Sequence, residues 1–259
     1  MAARHDLATD PGLQEQLLQA RRGTAFFARK LNELTDAELD GGSLLPGWTR
    51  RHVVAHVGYN ARAIARLVEW AGTGVETPMY PSVAVRDHEI EFGATLSPIA
   101  LRNLFDHSAV HLSVEWRDLP ERDWANEVKT IQGRTVPATE TVWMRTREVW
   151  IHAVDLANGA TFADIPERVL ERLLRDITGA WQARGSDAGL VINVTGTDLV
   201  FGDTGAQEHG PQDPVTVSGP LAGVAAWAAG RTAAAGGSGV TASRGRELLS
   251  DVPAAPKWI

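Results

Sequence analysis

Apolar positions in the first two thirds of the chain recur at helical intervals. Leu13, Leu17, Leu18, Phe26, Phe27 and Leu31 form one stripe within residues 12–34. Ahead of them, Asp10-Pro11 joins a capping residue to a proline at the first helical position, so an amphipathic helix of about six turns is predicted. A second helix follows Thr49 as its N-cap, with Val53, Val57, Ile64, Leu67, Val68 and Ala71 in step and Gly72-Thr73-Gly74 as its stop. Residues 75–96 read as a long loop carrying Pro78, Met79, Tyr80 and Pro81, and loops of that length are more often functional than idle. Ser97-Pro98 opens a third helix lined by Leu101, Leu104, Phe105, Leu112 and Trp116 and ended by Leu119-Pro120. Residues 127–130 and 134–136 flank Gln132-Gly133 as a short hairpin, and a fourth helix spans 139–156. Four helices of this length predict an up-down bundle with an insertion.

The pattern changes near Asn158. Asp164-Ile165-Pro166 starts a helix that ends near Arg184-Gly185, and residues 190–195, 199–202 and 215–218 read as strands. After Ser218-Gly219-Pro220 comes an alanine-rich helix reaching Arg231, then a Gly/Ala-rich loop over 233–239. The expected fold class is mainly α plus a small α+β part, with a boundary between domains 1–160 and 161–259.

Composition narrows the partners. The 259 residues carry a formal net charge of -7, which argues against nucleic acid because phosphate binding needs a basic stripe. An anionic substrate would be repelled at long range and must be held by local arginines. The chain has no cysteine, which excludes disulfides, thiolate metal sites and a cysteine nucleophile. No apolar run reaches the ~18 residues of a membrane span, and the N-terminus lacks the apolar core of a signal peptide. A cytoplasmic monomer is expected. Nine tryptophans against two tyrosines must supply core or pocket wall, with Trp48, Met79, Tyr80, Trp143 and Trp150 the candidates for the wall.

Glu148 and His152 carry the strongest chemical signal. Four residues is about one helical turn, so a carboxylate and an imidazole project from one face, supplying two of the three protein ligands that a catalytic zinc takes. The same spacing also suits an ordinary surface pair, yet Trp143, Val149, Trp150 and Ile151 surround Glu148, and a carboxylate there is costly unless paired or metal-bound. The second helix offers His52 and His56. His56 adjoins the apolar stripe and is the better third ligand, whereas His52 lies in the first turn. Asp155 reads either as an acceptor for the His152 ring N–H or as a solvated helix-terminal carboxylate. Two imidazoles and a carboxylate suit zinc with an open position or non-haem iron(II), and spacing does not separate the two metals.

Several runs resemble one family: residues 45–57 (LPGWTRRHVVAHV), 76–80 (ETPMY), 132–138 (QGRTVPA), 143–156 (WMRTREVWIHAVDL), 217–223 (VSGPLAG) and 229–231 (AGR). With these the chain resembles the mycothiol-dependent maleylpyruvate isomerases, within the wider DinB-like group of metal-binding helical bundles. The low-complexity stretch 231–239 is the one departure. The resemblance implies a DinB-like four-helix bundle followed by a sterol carrier protein-like C-terminal domain, with Zn2+ on His56, Glu148 and His152 and mycothiol as the second cofactor. It also implies that maleylpyruvate is converted to fumarylpyruvate in the gentisate pathway of aromatic catabolism. The double bond would be opened by reversible addition of a thiolate, which this cysteine-free chain must borrow. Arg86 and Arg231 are implied as catalytic residues for the substrate carboxylates and the developing enolate, Arg231 bringing the second domain to the site. The competing readings are a mycothiol-dependent S-transferase acting on another electrophile, an iron(II) enzyme, and a non-catalytic ligand-binding protein.

Overall fold

Local chemistry starts and stops each helix. In the computed structural model, which describes residues 5–187, 189–202, 214–231 and 239–258, helix α1 spans Pro11–Asn32. The Asp10 side chain accepts from the Leu13 N–H at 2.7 Å, which caps α1 where the aspartate-proline pair predicts. Helix α2 spans Arg50–Thr73 and ends at Gly74, whose φ of 73° only glycine adopts cheaply. Helix α4 spans Pro98–Asp118 under a Ser97 cap, and α5 spans Glu140–Asp155. Between them, strands β1 (Glu127–Lys129) and β2 (Thr135–Pro137) pair antiparallel, with Val128 opposite Val136.

Residues 75–96 are not one long loop. Val83–Ala94 form a helix, α3, capped by the Ser82 side chain accepting from the Val85 N–H at 3.2 Å. Its apolar stripe is weak: only Ile90 and Gly93 are buried. What holds it is contact with α2, where a Cβ on Gly93 would lie 2.7 Å from Ala55 Cβ and 2.8 Å from the Tyr59 ring. A helix stabilised by one close approach leaves little periodic trace in the sequence.

The chain divides into two units, Met1–Gly159 and Ala160–Ile259. In the first, α2 packs on α4 and α5, and α1 packs on α5 and α4. Leu13, Leu17, Ile64, Leu67, Leu112, Trp116 and Val142 share its buried core. The second unit holds α6 (Glu167–Ala183), α7 (Leu221–Ala228) and five strands: β3 (Leu190–Val194), β4 (Val200–Gly202), β5 (Val215–Gly219), β6 (Thr241–Arg244) and β7 (Glu247–Leu248). They form one sheet in the order β4-β3-β5-β6-β7, with β3 and β5 parallel and the other neighbours antiparallel. Helices α6 and α7 meet through Trp181 and Trp227, whose rings stand edge-on at 6.0 Å. Strands β6 and β7 are too short and polar to be read as strands from the sequence. The alanine-rich helix stops at Ala228, three residues before Arg231. Most of the predicted 233–239 loop lies outside the described residues.

The chain is thus mostly helical with a small sheet portion. No helix among the described residues is long and apolar enough to cross a membrane.

Candidate metal centre

The first unit brings three ligand-type side chains from two helices to one point. His56 comes from the second turn of α2, Glu148 and His152 from successive turns of α5. Both imidazoles converge on the same carboxylate oxygen: His56 Nε2 is 2.8 Å and His152 Nε2 3.1 Å from Glu148 Oε2. The two rings lie 4.7 Å apart and nearly perpendicular, at 85°. One ligand atom from each residue lies within 4.8 Å of the others, and these three are the candidate metal-holding group among the described residues.

The donor set fits a divalent ion such as zinc, with two imidazoles and a carboxylate as protein ligands. Asp155, fully buried, accepts from His152 Nδ1–H at 2.8 Å. That contact fixes the ring tautomer so that Nε2 faces the ligand group, the usual arrangement behind a metal-bound histidine. His56 Nδ1 is buried and meets no hydrogen-bond partner, an unusual cost for a polar atom that a hydrogen-bonded core histidine would not carry. Trp48, half-buried, tilts over His56 with ring centroids 5.6 Å apart and shields it from water.

Burial and pairing set the protonation states. Burial alone would raise Glu148, but hydrogen bonds from His152 and His56 outweigh it and hold the carboxyl well below its ordinary range. Burial lowers His56, and the Glu148 contact only partly offsets this, so the ring is neutral. His152 shows the opposite balance: burial would lower it, but Asp155 and Glu148 raise it to about 9. The anionic carboxylate is ready to ligate; His56, neutral while donating to it from Nε2, needs only a tautomer shift, and His152 must first give up a proton.

His52 does not join this group. Its Nδ1 accepts from the Thr49 backbone N–H at 3.2 Å, closing the N-terminus of α2, and its Nε2 is 3.4 Å from Glu91. Arg86 sits on α3 rather than in a loop, pairs with Asp87 at 2.7 Å, and its charge reaches His56 and Tyr80. Arg231 follows α7 in the second unit, where its backbone N–H donates to Ala226 O at 2.8 Å and its Nη1 to Ala229 O. Trp150 is core rather than pocket wall: it stacks on Phe26 at 5.1 Å and donates to Gln19 O of α1. Trp143 and Met79 are also buried.

Sequence reasoning passed over Arg145. It lies three residues before Glu148, on the same helical face, and is 1 % exposed. Its Nη1 donates to Val57 O at 2.7 Å and to Asn60 Oδ1 at 3.0 Å, tying α5 to the turn of α2 that carries His56. Burial lowers it to about 10, against the opposing pull of Glu148 and Tyr80. The three-residue spacing to Glu148 is a usable signal, blurred by Arg147 two residues further on.

Comparisons with known proteins agree with the geometry. A family described as "Mycothiol maleylpyruvate isomerase N-terminal domain" matches residues 20–157. A crystal structure of the mycothiol-dependent maleylpyruvate isomerase is 49% identical with a TM-score of 0.86, covering 95% of this chain and 97% of that one. A histidine-to-alanine mutant of the mycothiol-dependent maleylpyruvate isomerase superposes with the same TM-score of 0.86 at 48% identity. No curated protein sequence matches the chain. Near-complete coverage at close to half identity, together with a family match spanning both ligand-bearing helices, places this chain in the mycothiol-dependent maleylpyruvate isomerase family, a family of isomerase enzymes.

Proposed function

We propose that this protein converts maleylpyruvate to fumarylpyruvate in the gentisate pathway, using Zn2+ on His56, Glu148 and His152 and mycothiol as a dissociable thiol. The observation that carries the reading is the convergence of His56 and His152 on Glu148 from separate helices, in a chain 49% identical over 95% of its length to an enzyme of that name. On the same grounds the two units read as a DinB-like four-helix bundle and a sterol carrier protein-like domain. The protein is expected to act as a monomer in the cytoplasm, where small thiols are kept reduced.

When bound, zinc supplies a Lewis acid that keeps a thiol sulfur ionised, and mycothiol supplies the nucleophile whose reversible addition frees rotation about the former double bond. The chain's own residues do the rest. Glu148 contributes the one negative charge of the ligand set, and Asp155 holds His152 in the ligating tautomer. Zinc rather than iron suits a reaction with no redox step. Arg86, one-third exposed on α3, supplies a cation to a dianionic substrate in a chain of net charge -7. Arg231 is proposed for the second carboxylate and the enolate charge.

The test follows the loss of maleylpyruvate absorbance with zinc-loaded protein, with and without mycothiol. Turnover that requires both the thiol and the metal is expected. A full thiol-dependent rate after chelation, or no turnover by the complete system, would overturn the reading.

A further inference from the structure

Tyr80 is buried, 7 % exposed, yet its hydroxyl meets no hydrogen-bond partner among the described residues and is not sealed from solvent. Buried tyrosines ordinarily pair their O–H. The ring itself is firmly held. Arg66 of α2 donates from Nε to Met79 O at 2.9 Å and lays its guanidinium 5.5 Å from the Tyr80 ring centroid. Thr77 Oγ1 donates to Arg66 O at 2.6 Å, so the strap 77–80 is fastened to α2 on either side of Met79. A rigid ring thus presents a free donor.

Its surroundings belong to the metal centre. Glu148 and Arg86 both act electrostatically on the Tyr80 phenol, together with Arg66 and Glu89, and the buried Arg145 guanidinium is coupled to Tyr80 as well as to Glu148. Arg145 Nη2 is itself buried without a partner. Arg66, Arg86 and Arg145 thus act on the phenol alongside Glu89 and Glu148, and Glu148 is one of the candidate metal ligands. The spot favours negative charge arriving from outside the protein.

We propose that the Tyr80 hydroxyl is a catalytic hydrogen-bond donor that contacts the substrate's ketone oxygen as negative charge gathers there. This rests on the isomerase function proposed above. As the thiolate sulfur bonds to the alkene carbon, the π pair moves through the conjugated system onto the ketone oxygen, which accepts from Tyr80 O–H without taking its proton. After rotation the pair returns, the double bond reforms and the C–S bond breaks, so no proton is gained or lost. Burial pushes the phenol above its ordinary range, which keeps it a donor and unfits it as a base. Arg145, 1 % exposed, adds to the field from within the protein.

The partnerless hydroxyl makes the test clean. Tyr80→Phe removes no hydrogen bond within the protein and keeps the ring under Arg66, so a purely structural Tyr80 predicts no effect. The zinc- and mycothiol-supplied variant is expected to lose about 100-fold in kcat, with KM within a few-fold of the parent and zinc content and Tm unchanged. Parent-like kcat would overturn the proposal, as would a loss of rate that tracks a fall in Tm or in bound zinc. The parent is assayed first: if it fails to isomerise maleylpyruvate, the isomerase function falls and the role of Tyr80 with it. An active parent beside an equally active variant removes Tyr80 alone.

Discussion

Asp155→Asn tests a contact that orients a ligand without touching the ion. Asp155 is fully buried, and its carboxylate accepts from His152 Nδ1–H at 2.8 Å. A hydrogen bond involving a charged group is worth ~1.5–3 kcal/mol, a neutral one ~0.5–1.5. Asparagine keeps the acceptor oxygen and the volume but not the charge, so His152 loses about 1–1.5 kcal/mol of support as a ligand. At 1.4 kcal/mol per tenfold this weakens zinc about tenfold, the low end of the range for residues that hold a metal-bound histidine. Were the amide to turn its NH2 toward the ring, the tautomer would invert and the loss would be larger. The assay is a competition titration against a zinc chelator, with Tm measured in parallel. Zinc affinity within twofold of the parent at unchanged Tm would refute the reasoning. Metal loss accompanied by a collapse of Tm would assign Asp155 to the fold instead.

Four further outcomes follow from the structure. Zinc affinity should fall as pH is lowered from about 9, approaching tenfold per unit, because His152 is raised to about 9 and must release its proton; binding isotherms at several pH values check it, and a flat profile refutes it. In the metal-free protein the sign reverses: the stability His152 contributes is complete below its ordinary 6.5 and is lost as pH rises through about 9. Gly23→Ala should destabilise the first unit by about 1–2 kcal/mol despite alanine's better helix propensity, because the new Cβ would sit 2.6 Å from both Trp150 Nε1 and Val149 Cγ2; a Tm equal to the parent's would show that α1 and α5 can separate freely. Arg231→Met and Arg86→Met should each depress turnover, Arg231→Met by orders of magnitude, while leaving zinc bound; near-normal rates would remove the residue concerned from the reaction.

Much of this molecule was legible as text. The Asp10-Pro11, Ser97-Pro98 and Gly74 signals act on the backbone within a few residues of themselves, so the ends of α1, α2 and α4 follow from local sequence. The juxtaposition of Glu148 and His152 is likewise local, because one helical turn sets it. Helix α3 was not legible, since its stability comes from a glycine meeting α2 rather than from an apolar stripe. The apolar stripe already favours His56 over His52, but the reason lies in the packing. Both have the right chemistry, and only packing shows that one closes a helix end while the other is buried, 2.8 Å from Glu148. The free hydroxyl of Tyr80 and the buried charge of Arg145 belong to the same class. Pairing and burial depend on which distant segments arrive beside a side chain, and spacing along one chain does not encode that distance.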